Sequence, residues 1–186
     1  MFPPHNFEAN LSGRLHGART VVAQGVLDDA AAARVTQALL LLASTSEDDV
    51  RVLFALHGKQ LGPAFAVHDV VSTMTPRVQM IATGRVAGAG VVAFCAAPIE
   101  DRTCLPMARF HLHALRASSP SSVHSSSQSA AADAERQRMR AYDFIASATG
   151  VPRARVEEDV RRGLVLDARE AETYGLVARL TMRGEL

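Results

Sequence analysis

Cysteine is scarce: Cys95 and Cys104 are the only two in the chain and they lack CxxC spacing. That excludes a disulfide framework and a structural zinc site, and leaves both as reduced thiols without a role in chemistry. An excess of one charge is also missing. Lys plus Arg number 20 and Asp plus Glu 19, a net charge of +1, so nothing points to nucleic acid or an anionic membrane surface. Apolar runs such as 38–43 stay far short of the roughly 20 residues of a membrane helix. Met1-Phe2-Pro3-Pro4-His5 has neither the charged start nor the apolar stretch of a secretory leader, so a cytoplasmic location is expected. No repeat of solenoid length is visible. What is present, 48% hydrophobic and 21% charged residues in 186, is the balance of a folded domain with a sizeable core.

After a polar, proline-containing lead, Arg19-Thr20-Val21-Val22-Ala23-Gln24-Gly25 reads as a strand closed by glycine. Asp28-Asp29 start a helix in which Val35, Ala38, Leu39 and Leu42 recur at helical spacing up to Ser44. Val50-Arg51-Val52-Leu53-Phe54-Ala55-Leu56 suits a strand buried on both faces of a parallel sheet. A turn over 58–62 follows, and Pro63 opens a helix whose Ala66, Val67, Val70, Val71 and Met74 share one face up to Thr75-Pro76. The unit repeats, with a strand at 77–83, a glycine-rich stretch at 84–90 and an apolar helix at 91–97 stopped by Pro98. Past a turn over 101–106, Ala108, Phe110, Leu112 and Ala114 alternate with Arg109, His111 and His113, which predicts a strand with both histidines on one face.

The 118–129 stretch, with eight serines and one proline, reads as an extended surface excursion. A long helix is predicted over 130–148, with Met139, Tyr142, Ile145 and Ala146 on one stripe and Gly150 past its end, and a short one over 152–162. Asp167 and Glu170 have capping-box spacing for a helix through Tyr174 ended by Gly175, before a last strand over 176–182. Strands alternating with helices imply stacked βαβ crossovers, an α/β fold. Gly84, Gly88 and Gly90 follow a strand and open a helix, but their spacing is not the dinucleotide fingerprint and no P-loop lysine follows, so close backbone packing is expected and no cofactor.

The order of these pieces resembles the proteolytic subunit of the Clp protease, a family of the crotonase-like fold, from about Arg19 to Leu180. Gln37-Ala38-Leu39-Leu40-Leu41-Leu42, Ser46-Glu47-Asp48-Asp49-Val50, Ala66-Val67-His68-Asp69, Leu105-Pro106-Met107-Ala108-Arg109 and Ala168-Arg169-Glu170-Ala171-Glu172-Thr173-Tyr174-Gly175-Leu176 carry the resemblance, in collinear order. It implies a lead over 1–18, a Clp-protease-like domain over 19–182 with a handle region at 118–148, and a tail over 183–186.

The resemblance also locates what this chain has lost. The family's Gly-Gln-Ala-Ala-Ser-Met-Gly nucleophile segment falls on Gly84-Arg85-Val86-Ala87-Gly88-Ala89-Gly90, so Gly88 stands at the serine position, and no serine occurs between Thr75 and Thr103. His113 keeps the general-base position. The catalytic aspartate position falls on Gly163; Asp159 and Asp167 are each four residues away and point in a wrong direction. Among the oxyanion-loop positions, Gly58, Lys59 and Ala89, Lys59 replaces a family glycine, and a side chain there works against the backbone turn. Losing a triad nucleophile removes most of roughly six orders of magnitude in rate. The resemblance thus implies a pseudoprotease, a non-catalytic homologue that assembles into a ring-shaped Clp complex.

Partners follow from the same comparison. Family members stack as two seven-membered rings, and a family acid that pairs across rings becomes part of Arg161-Arg162. Identical rings would repel there, so a hetero-oligomer with an active paralogue is expected, alongside a homo-oligomer and contact with a Clp ATPase as alternatives. Three other readings compete: zinc held by His57, His111 and His113, disfavoured because no paired acid or spacing motif supports it; a crotonase-fold enzyme using His113 with Lys59; and an active peptidase whose displaced nucleophile comes from the serine-rich stretch.

Overall fold

The computed structural model describes residues 13–117, 127–182 and 184–185. Residues 13–17 form a helical turn within what the sequence suggests is an irregular lead. The chain then runs β1 (Thr20–Val26), α1 (Asp29–Thr45), β2 (Val50–Gly58), α2 (Leu61–Thr73), β3 (Val78–Ala82), β4 (Arg85–Gly88) and α3 (Ala89–Phe94). After a 3-10 turn at Ile99–Asp101 come β5 (Arg102–Cys104), β6 (Arg109–His111), α4 (Ser127–Thr149), α5 (Arg153–Arg162), β7 (Val165–Leu166), α6 (Ala168–Tyr174) and β8 (Arg179–Leu180). The serine-rich residues 118–126 lie outside the described residues.

The strands form one sheet in the order β7-β6-β4-β2-β3-β5-β8, with β1 pairing β2. All pairs are parallel except β6 with β7. Because parallel neighbours need crossovers, the helices between them pack on one face, α1 on β1 and α2, α2 on α3. β2 forks the sheet: its Val50–Phe54 part pairs β3, and its His57 and Gly58 pair β4. The expectation of a strand buried on both faces is therefore corrected. Val50, Val52, Phe54 and Leu56 are buried under the helices, while Arg51, Leu53, Ala55 and His57 alternate with them on a half-open face.

The core follows from the apolar faces. Phe94 on α3 packs against Phe54 of β2 and Phe110 of β6, with ring centroids 5.7 and 5.4 Å away. α3 approaches β2 very closely, since a β-carbon on Gly90 would lie 2.1 Å from the Leu56 carbonyl oxygen. Glycine at 90 is required by this approach, as the packing reading anticipates. Local chemistry sets the helix ends as expected: Asp28 caps α1 by accepting from the Ala31 N–H, and Asp167 with Glu170 forms a complete capping box on α6. Arg19 adds a tie that the sequence does not advertise. At φ 48° its guanidinium donates to the carbonyls of Leu42, Ser46 and Asp48, holding the end of α1.

Short strands account for the other departures. β4 lies inside the stretch that reads as a glycine loop, β5 inside a supposed turn, and β7 was not anticipated; each has only two to four residues, too few to show a period. β6 is likewise confined to three residues, so His113 lies just beyond it. Both cysteines are free and buried; burial raises each thiol pKa, that of Cys104 to about 11, consistent with inert reduced thiols. Among the described residues no helix is long and apolar enough to cross a membrane.

Candidate functional site

Parallel register brings His57 of β2, Ala87 of β4 and His111 of β6 into one row at the carboxyl ends of their strands. Side chains two residues apart on a strand share a face, so Arg85 belongs to the same face as Ala87, and Arg109 to that of His111. Ala87 is the small floor between two imidazoles. His57 is therefore a strand residue on the face of this cluster. His111 and His113 meet edge to face with ring centroids 4.8 Å apart.

Gly88 ends β4 with φ 56° and ψ −118°, a backbone conformation strained for residues with a side chain. A β-carbon on Gly88 would lie 2.3 Å from the Gly58 carbonyl oxygen, 2.3 Å from His113 Cε1 and 2.8 Å from His113 Nε2. The imidazole and the neighbouring strand thus occupy the volume a side chain at 88 would need. His113 has a hydrogen bond between Nδ1 and its neighbour's carbonyl, Ala114 O, at 3.2 Å. Gly88 and His113 are brought together; Gly163 is brought to His111 instead. A β-carbon on Gly163 would lie 3.6 Å from His111 Nε2, ordinary contact, with glycine in the left-handed region at φ 71° closing α5.

The nearby acids serve other purposes. Asp159 is fully buried and accepts from Arg155 Nε at 3.1 Å and the Tyr174 hydroxyl at 3.0 Å, with Arg162 2.8 Å away. Asp167 is spent on the α6 cap. Burial first, then the hydrogen bond to Asp159, pushes the Tyr174 hydroxyl pKa up. Of the two candidate ring-contact arginines, Arg162 is thus already paired within the chain, while Arg161 is exposed on the last turn of α5. The sequence signal for this network is Arg155, Asp159 and Arg162 at helical spacing; the sequence reading takes Asp159 and Arg162 in other roles and does not include Arg155.

At the oxyanion-loop positions, Gly58 pairs Gly88 in register and Ala89 begins α3. Lys59, the only lysine in the chain, is exposed. Its carbonyl accepts from the Arg116 N–H at 2.7 Å, and the Leu61 N–H donates to the Arg116 carbonyl at 2.9 Å. The backbone edges flanking the cluster are thus bonded to each other. Lys59 has no positive φ, so its side chain is accommodated by a loop that does not take a glycine turn.

Electrostatically the cluster is one-sided. His57 is lowered below the ordinary imidazole pKa by burial, then by Arg85 and His113; His111 is lowered by burial, then by His113 and Arg85. No carboxylate contributes to either shift. Among the described residues no three side chains converge as a metal site, and the positive neighbours disfavour a cation.

Comparison with known proteins fits this frame. The sequence pattern of the family described as Clp protease matches residues 5–183. The chain belongs to the Clp protease family. It is 34% identical over 173 residues to the "ATP-dependent Clp protease proteolytic subunit 3" of Rhizobium etli, covering 93% of this chain and 87% of that one. It is 33% identical over 169 residues to proteolytic subunit 2 of Pseudomonas aeruginosa, covering 87% and 80%. The solved structure of ClpP1 from Listeria monocytogenes superposes with a TM-score of 0.80 at 29% identity, covering 95% of this chain and 99% of that chain. The Clp protease fold expected from sequence, α/β with crotonase-like stacked units, is therefore the fold of this chain.

Proposed function

We propose that this chain is a non-catalytic Clp proteolytic subunit that enters or modulates a ring-shaped Clp protease. The observation that carries the reading is at Gly88: the His113 ring and the Gly58 carbonyl lie where a nucleophile's side chain would have to stand. Acyl transfer by this family's chemistry needs a hydroxyl there, a base to take its proton and a carboxylate to orient the base. Of those three roles only the base position, His113, retains a suitable group. Gly163 supplies no carboxylate, and Asp159 and Asp167 are held elsewhere. Gly58, Lys59 and Ala89 remain as the positions of a former oxyanion loop.

In this reading residues 19–182 are the assembling unit, 118–148 its handle, and 1–18 and 183–186 its lead and tail. Exposed Arg161 offers a cation to a carboxylate of a facing ring, while Arg162 helps position α5 through Asp159. An active paralogue is the partner this arrangement favours, with a Clp ATPase engaged through the assembled ring. The test is to purify the chain alone and with an active paralogue and to measure particle mass and peptide hydrolysis. The chain alone is expected to hydrolyse nothing and to join the paralogue's rings. Its relatives are named as proteolytic subunits, which favours the opposite reading; hydrolysis by the isolated chain, abolished by His113→Ala, would establish that reading instead.

A further inference from the structure

The lost nucleophile and acid leave behind a cluster that neither role explains. His57 and His111 flank Ala87 on neighbouring strands, His113 meets His111 edge to face, and exposed Arg85 stands two residues before Ala87 on the same face. Arg109 is paired in register with Arg85 and extends the positive strip. On the loop side stand exposed Lys59 and Arg116. None of these groups has an ion-pair partner among the described residues. The three imidazoles are half-exposed, so the cluster opens to solvent over a floor of one alanine.

Groups with only donors, or with donors on demand, gathered on one face without a carboxylate among them favour an anion over a metal. We infer that the cluster of Arg85, His57, His111 and His113 binds a small oxyanion, the carboxylate end of a peptide. Arg85 supplies the fixed charge and the imidazoles supply N–H donors that become stronger on protonation. His57 and His111 are each lowered by burial first and then by Arg85 and His113, and that second, positive contribution is the field such an anion would relieve. Gly163 keeps the space beside His111 Nε2 open, where a residue with a carboxylate would fill the site from within. Naming a peptide as the source rests on the proposed function, because every cleavage in a proteolytic chamber makes a new carboxyl terminus; the oxyanion site itself does not.

Calorimetry on the full chain tests this with three probes: N-acetyl-dialanine with a free carboxylate, the same peptide as its amide, and inorganic phosphate. The acid is expected to bind and the amide not, with affinity rising as pH falls from about 8 to about 6, since bound anion favours charged imidazole. Arg85→Ala, an exposed change that leaves the core untouched, and Gly163→Asp, which places an internal carboxylate at His111 in a left-handed position aspartate tolerates, are each expected to weaken binding about tenfold. Phosphate binding without peptide-acid binding keeps an oxyanion site but overturns the peptide assignment. Equal binding of acid and amide, no binding of any probe, no dependence on pH, or undiminished affinity in both variants overturns the inference. Because the isolated chain is used, these outcomes are separate from whether it joins a ring or hydrolyses peptides.

Discussion

Two polar clusters of this molecule use arginine to opposite ends. Around Asp159 the charges are closed: a fully buried carboxylate is matched by two arginines and a tyrosine hydroxyl drawn from α5 and α6. Around Gly88 the charges are open: three imidazoles and Arg85 gather on a half-exposed face with no carboxylate among them. A satisfied buried network holds elements in place and is costly to break, whereas an open cluster contributes little to folding. On the proposed reading, the difference separates what the family scaffold still requires from what its chemistry no longer does.

That contrast breaks first if the scaffold side proves soft. Gly90→Val pushes a side chain into the Leu56 carbonyl and forces α3 off β2, so urea unfolding should show a loss of about 3 kcal/mol or more. Asp159→Ala removes the shared acceptor of Arg155, Arg162 and Tyr174 and should cost about 3 kcal/mol by the same measurement. Gly88→Ser must displace the His113 ring and the Gly58 carbonyl, an overpacking loss of about 1–3 kcal/mol. With no carboxylate at 163, that serine is expected to leave peptide hydrolysis at background.

The open cluster yields the smallest effects. His111→Asn should change stability at neutral pH by less than about 0.5 kcal/mol. Its signature lies in the pH dependence. His57 and His111 are lowered in the folded chain, so below the ordinary imidazole pKa of 6.5 the unfolded chain binds protons that the folded one refuses. Stability is therefore full above that value and declines as pH falls from it toward the lowered pKa values. Thermal unfolding followed across this window should show a shallower decline in the His111→Asn variant.

The same contrast explains what was legible in the sequence. Long periodic elements were, because α1, α2, α4 and the capping box of α6 carry their signals within a few consecutive residues. Gly88, Gly163 and His113 are singled out by the resemblance alone; the structure sets Gly88 against His113 and Gly163 against His111. β4, β5 and β7 were not, since a strand of two to four residues is defined by its neighbour and not by its own pattern. Arg85 carries no such signal, because only the register of β4 with β2 and β6 puts it on one face with His57 and His111. The Arg19 clasp depends on one residue's left-handed backbone, which no local motif announced.

The central claim is that no activated nucleophile stands beside His113. Treating the full chain with a fluorophosphonate, which phosphonylates activated serine hydroxyls, and weighing it by mass spectrometry addresses that claim directly. The chain is predicted to emerge with its mass unchanged. A single stoichiometric adduct on any serine, lost in the His113→Ala variant, would contradict the account.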